Sequence, residues 1–103
     1  MIYRQVVFSQ LEVLQDGTLQ LRLDKQVVDG ESVLSHEYHR TSIPPGTSVD
    51  MQMDAVEVHL AQMGWPAVGD QARARVLRVA AVEHSPEKVR AYRARVAQVS
   101  NAR

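Results

Sequence analysis

The densest chemistry in the chain is S-H-E-Y-H-R-T-S-I-P-P-G, residues 35–46. Two histidines, a glutamate, a tyrosine and an arginine occupy positions 36–40. These are the residue types of a metal centre or an acid–base site. Their spacing argues against both. His36 and His39 stand H-x-x-H, so Glu37 does not complete the H-E-x-x-H pattern of a zinc protease. On a strand, positions 36 and 39 point to opposite faces and cannot converge on one ion. Glu37 and His39 do share a face, and His59 could approach them. His84, just before the last helix, reads as a linker residue. Ser35 and His36 are neighbours whose side chains diverge on a strand, which removes a Ser–His nucleophile. No G-x-S-x-G is present, and Gly46, Gly64 and Gly69 stand singly, without a phosphate loop. The chain has no cysteine, hence no thiolate and no disulfide framework. The expectation is a protein with no catalytic residue, no metal site and no cofactor.

The basic residues are the next candidates. Arg73, Arg75, Arg78, Lys88, Arg90, Arg93, Arg95 and Arg103 crowd the last third. Arginines on helices can neutralise phosphates and give salt-sensitive affinity for nucleic acid. Arg73, Arg75 and Arg78 do not form one helical row, however, and the whole chain is neutral. A solvated helix face, or pairing with the acidic half of the protein, accounts for them as well. Residues 1–64 carry nine acids against four bases, −5, and residues 65–103 carry three against eight, +5.

These groups need elements to hold them. L-Q-L-R-L, residues 19–23, alternates with period two, as a half-buried strand does. A three-residue turn at Gln15-Asp16-Gly17, with Gly17 in the left-handed conformation, sets Val13 opposite Leu19 and Leu11 opposite Leu21. Val6 and Phe8 have the opposite parity to Leu11 and Val13, so a bulge is expected near Ser9-Gln10. A second turn at Asp29-Gly30 sets Leu23 against His36 and Leu21 against Tyr38. The histidine-rich stretch is then strand three, ended by Pro44-Pro45.

Beyond Thr47 the period changes. Val49, Met53, Val56, Leu60 and Met63 form one stripe of an amphipathic helix, capped by Ser48 or Asp50 and closed by Gly64. Residues 70–82 read either way. Asp70 as a cap, with Ala72, Val76, Val79 and Ala80 on one side, favours helix; A-R-A-R-V alternates like a strand. Residues 70–82 are expected to be helical. S-P-E-K-V-R-A-Y opens a third helix with Ser85 capping and Pro86 at the first position; Val89, Tyr92, Val96 and Val99 are its stripe. The fold expected is one α+β domain over 1–103: a three-stranded antiparallel meander (1–45), then two or three helices (48–99) packed on one face.

That leaves one sheet face for two or three apolar helices, so some apolar surface remains for a partner chain. Trp65, Met63, Tyr92 and Tyr38 are the candidate interface residues; the bland reading of Trp65 is a lid over the core. No stretch approaches the roughly 20 apolar residues that cross a bilayer. The opening M-I-Y-R-Q-V-V-F-S-Q-L-E-V-L, broken by Arg4, Gln5, Ser9, Gln10 and Glu12, does not read as a secretion signal.

The succession of L-x-V-L-x-D-G, L-Q-L-R-x-D-K, Y-H-R-T-S-I-P-P-G, H-L-A-Q-M-G-W-P-A-V and V-E-H-S-P-E-K-V-R-A-Y-R-A resembles a group of small proteins encoded by tailed phages and bacterial prophages. The resemblance spans most of the chain. It implies a gene in a structural or tail neighbourhood, and a product in the bacterial host cytoplasm or with the virion. It transfers no functional residue. The function expected is a non-catalytic phage or prophage accessory or virion-assembly protein, working through protein–protein contacts and self-association. The alternative is a nucleic-acid binder using Arg73, Arg75, Arg78, Lys88, Arg90, Arg93 and Arg95.

Overall fold

A computed structural model describes residues 1–101; Arg103 of the basic set lies outside the described residues. The order is β1 (Ile2–Val13), β2 (Leu19–Asp29), β3 (Ser32–Ile43), α1 (Val49–Gln62), α2 (Asp70–Glu83) and α3 (Pro86–Asn101). The strands form one antiparallel sheet in the order β1-β2-β3. This is the expected α+β arrangement, with residues 70–83 helical.

The first hairpin follows the sequence closely. The Leu14 amide donates to the Thr18 carbonyl at 2.9 Å and the Gly17 amide to the Leu14 carbonyl at 2.9 Å. Gly17 has φ +90°, a conformation only glycine adopts without strain. Val13 faces Leu19, Leu11 faces Leu21, and the register shifts between Phe8 and Gln10. The bulge turns Val6, Phe8, Leu11 and Val13 onto a common face.

The second hairpin does not. The turn residues are Gly30-Glu31, one position later than expected, because Asp29 pairs with Ser32. Gly30 has φ +61° as the first central residue, which fits a type II′ turn. A second bulge between Val27 and Val28 leaves Leu34 as the extra residue of β3. Together these slide β3 by three residues. Leu23 therefore faces His39, not His36, and Leu21 faces Thr41, not Tyr38. An odd slip exchanges faces, so Glu37, His39 and Thr41 turn toward the helices while His36, Tyr38 and Arg40 turn away.

α1 and α2 lie on the first of these faces. Leu19, Leu21 and Ile43 pack with Val49 and Met53 of α1 and Val76 and Ala80 of α2. Leu23 packs with Val56 and Leu60, roofed by Trp65. Phe8 and Val68 touch both clusters, joining them. Each fully buried leucine contributes about 1.5–3 kcal/mol by leaving water. Ser48 caps α1, its Oγ accepting from the Met51 amide at 3.3 Å, and Ser85 does the same for Lys88 at 3.2 Å. Gly69, not Asp70, is the N-cap of α2, with no side-chain cap bond.

α3 is different. Its first turns sit on two loops, where His84 Nε2 lies 2.8 Å from the Gly17 carbonyl and Lys88 Nζ donates to the Gln15 carbonyl. Val89 and Tyr92 are half-buried there, but Val96 and Val99, on the same stripe, are exposed. The radius of gyration is 16.1 Å, with extents of 53 × 30 × 20 Å. A compact chain of this length would have about 13 Å, so the molecule is elongated.

Candidate functional site

The sheet has two faces with different chemistry. On the helix side, cross-strand rows run Phe8–Leu23–His39 and Val6–Lys25–Glu37. His39 meets His59 of α1, their ring centroids 5.3 Å apart. Burial is the main reason the His39 imidazole titrates below its ordinary range; the charges of His59 and Lys25 push the same way. Gln52 Nε2 donates to Thr41 Oγ1 at 2.7 Å and fastens α1 to β3. Lys25 is 5% exposed. Its Nζ lies 3.8 Å from Glu37 Oε2 and 5.9 Å from the centre of the Trp65 ring.

The opposite face is open. Arg22 is held by Ser9 Oγ, which accepts from Nε at 3.2 Å and Nη2 at 3.1 Å. Its guanidinium stacks 4.3 Å from the Tyr38 ring centre, with Arg40 at 5.7 Å. His36 Nδ1 lies 3.1 Å from Asp24 Oδ1, and Asp24 Oδ2 accepts from Gln26 Nε2 at 2.8 Å. A hollow of about 730 Å³ lies between Gln10, Glu12, Gln20, Arg22, Arg40 and Ser42. His36 and His39 thus stand on opposite faces. Among the described residues, no three His, Cys, Asp or Glu side chains gather where they could hold a metal ion.

The basic set is dispersed by its partners. Arg73 lies across α1, 2.8 Å from Asp54, 3.1 Å from Glu57 and 3.6 Å from Asp50. The hydrogen bond to Asp54 is the main reason its pKa is raised still further. Arg95 pairs with Asp16 at 2.6 Å. Asp16 also accepts from the Thr18 amide, and the Thr18 bonds lead in holding its carboxyl below the usual carboxylate range. Lys88 is committed to the Gln15 carbonyl, and Arg75 lies over the Phe8 ring at 5.6 Å. Among the described residues, Arg78, Arg90 and Arg93 make no ion pair.

The four candidate interface residues do not come together either. Trp65 lids the Leu23–Leu60 cluster, with Arg4 5.1 Å from its ring. Met63 is partly exposed at the end of α1, Tyr38 is on the open sheet face, and Tyr92 is under α3.

The larger uncovered apolar surfaces escaped sequence reasoning. Strands of 11–12 residues run about 40 Å, whereas the 14 residues of α1 run about 21 Å. The helices therefore cover only part of the sheet. At the far end, on the face away from the helices, the row Tyr3–Val28–Val33 carries a buried Val28 between two exposed neighbours, and Ile2 and Leu34 are exposed at the same end. On α1, Met51, Ala55 and Val58 form a second stripe facing away from the core. No helix among the described residues is long and apolar enough to cross a membrane. No protein-family model, curated protein or solved structure matches this chain.

Proposed function

We propose that this chain is a non-catalytic accessory or virion-assembly protein of a phage or prophage, acting through protein–protein contacts and associating with itself. One observation carries the reading: the exposed apolar end of the sheet, where Tyr3 and Val33 flank Val28 on the face away from the helices and Ile2 and Leu34 are exposed at the same end. Large contiguous apolar patches on a soluble chain mark interaction sites. A chain of 103 residues also has a modest core, which association extends. The phage setting, and with it the host cytoplasm or virion, rests on the sequence resemblance. Sedimentation velocity over a concentration series tests the association: species heavier than the monomer support it, and a strict monomer at the highest concentration removes it.

The nucleic-acid alternative rests on Arg78, Arg90 and Arg93, which keep their charges free of carboxylates among the described residues. It is the weaker reading, because Arg73 and Arg95 are spent on Asp54 and Asp16. Filter binding against a salt series separates the two. Affinity that falls steeply with salt supports the alternative; no binding at low salt eliminates it.

A further inference from the structure

We infer that the overhanging part of α3 docks on the outer stripe of α1 of a second copy. The inference rests on the self-association proposed above and assigns a contact to surfaces other than the apolar end of the sheet.

α3 repeats its apolar residues at 89, 92, 96 and 99, steps of three, four and three, the spacing of a helix–helix seam. Val89 is seated against Gly46 and Tyr92 is half-buried. The last two continue the same stripe and are exposed, Val96 at 44% and Val99 at 60%. α1 carries a stripe of matching pitch: Met51, Ala55 and Val58 at steps of four and three. Met51 is 73% and Val58 58% exposed, so the protein's own α3 does not cover them.

Charge selects which helix pairs with which. α1 contains Asp50, Asp54 and Glu57 with no lysine or arginine, −3. α3 contains Lys88, Arg90, Arg93 and Arg95 against Glu87, +3. Pairing α3 with α3, or α1 with α1, opposes like charges, which docking disfavours. Pairing α1 with α3 joins opposite ones. Arg73 already shows that the acidic flank of α1 accepts a guanidinium, and one arginine against three carboxylates leaves two negative charges. Arg90 and Arg93 make no ion pair among the described residues, so α3 keeps positive charge to set against them, with the Arg93 guanidinium resting against Gly46 of its own chain in the single copy. The contact joins different surfaces of the two copies. Depending on the rotation between them it closes as a two-fold dimer using the contact twice, as a ring, or grows as a filament.

Complementation tests this. Val96→Asp with Val99→Asp disables the seam of α3; Met51→Arg with Val58→Arg disables the stripe of α1. All four side chains are exposed, so both variants should fold, as circular dichroism checks; if either loses helix, Val99→Asp or Met51→Arg alone takes its place. In sedimentation velocity the wild type should associate, and less so as salt is added. Each variant alone should be monomeric. Their equimolar mixture should form a dimer and stop there, at a concentration at least about tenfold below any residual self-association of either variant. A variant that still assembles like the wild type, or a mixture that stays monomeric, overturns the inference while leaving self-association standing. A monomeric wild type removes the self-association reading itself.

Discussion

Replacing Lys25 with methionine should stabilise the protein. Lys25 sits on the apolar face of β2, in line with Leu19, Leu21 and Leu23, and is 5% exposed. Among the described residues its one carboxylate neighbour within 4 Å is Glu37, at 3.8 Å, beyond hydrogen-bond distance, and the Glu37 side chain is 78% exposed. A pair with one member in water is worth about 1 kcal/mol, the Coulomb energy at that separation in a water-like dielectric. The Trp65 ring centre, 5.9 Å from Nζ, is at the limit of a cation–π contact and adds about 0.5 kcal/mol. Against this stands the cost of withdrawing an ammonium from water, several kcal/mol even after relaxation. Methionine keeps the unbranched shape and the apolar stem without that cost. The expected gain is about 1–2 kcal/mol, and each kcal/mol should raise the melting temperature by about 4–8 °C in a domain of this size. Calorimetry and urea unfolding measure both. A loss of more than about 1 kcal/mol would refute the reasoning, since it would mean the ammonium is better solvated or better paired than its neighbours indicate. Glu37→Gln is the control and should change stability by less than about 1 kcal/mol.

Met53→Ala removes a fully buried side chain where α1 meets the sheet, and should cost about 2–5 kcal/mol in urea unfolding. His39 titrates below 6.5 in the folded chain, so the unfolded chain binds more protons in the window below that value. Its contribution to stability is complete above pH 6.5 and is lost as pH falls through the folded pKa; His39→Gln should flatten that part of the pH–stability curve. Gly17→Ala places a Cβ 3.2 Å from the Glu83 carbonyl oxygen and from Pro45 Cγ, at φ +90°. It should cost about 1–3 kcal/mol from backbone strain and crowding together, seen as a lower urea midpoint with an unchanged slope.

The two hairpins explain why one half of the sheet is legible in the sequence and the other is not. In the first, the leucines of β2 and the valine and leucine of β1 must share a face, and only one loop length permits it. Glycine at position 17 then agrees with that choice. In the second, β3 reads Ser-His-Glu-Tyr-His-Arg-Thr-Ser over positions 35–42, polar on both faces. No apolar set penalises a slip, so the register is decided by turn geometry and by a bulge at Leu34, neither of which leaves a pattern in residue types. The consequence reaches the candidate site. A three-residue slide carries Tyr38 from the core face to the open one, and carries His39 to the imidazole of His59.

The helical half divides in the same way. The stripe of α1 is legible because four of its five residues, Val49, Met53, Val56 and Leu60, are buried as their spacing demands. The stripe of α3 has the same spacing, yet its last two residues are exposed. Periodicity identifies an apolar face but carries no information about how far the surface opposite it extends. That distance depends on the reach of the Gln15–Gly17 and Gly46 loops, which end near the middle of α3. Arg73 shows the complementary case: its position in the basic set suggested a free cation, and its three carboxylate partners come from α1, some 16–23 residues earlier. Residue type proposes a surface, and the packing of elements distant in sequence decides whether that surface is already used.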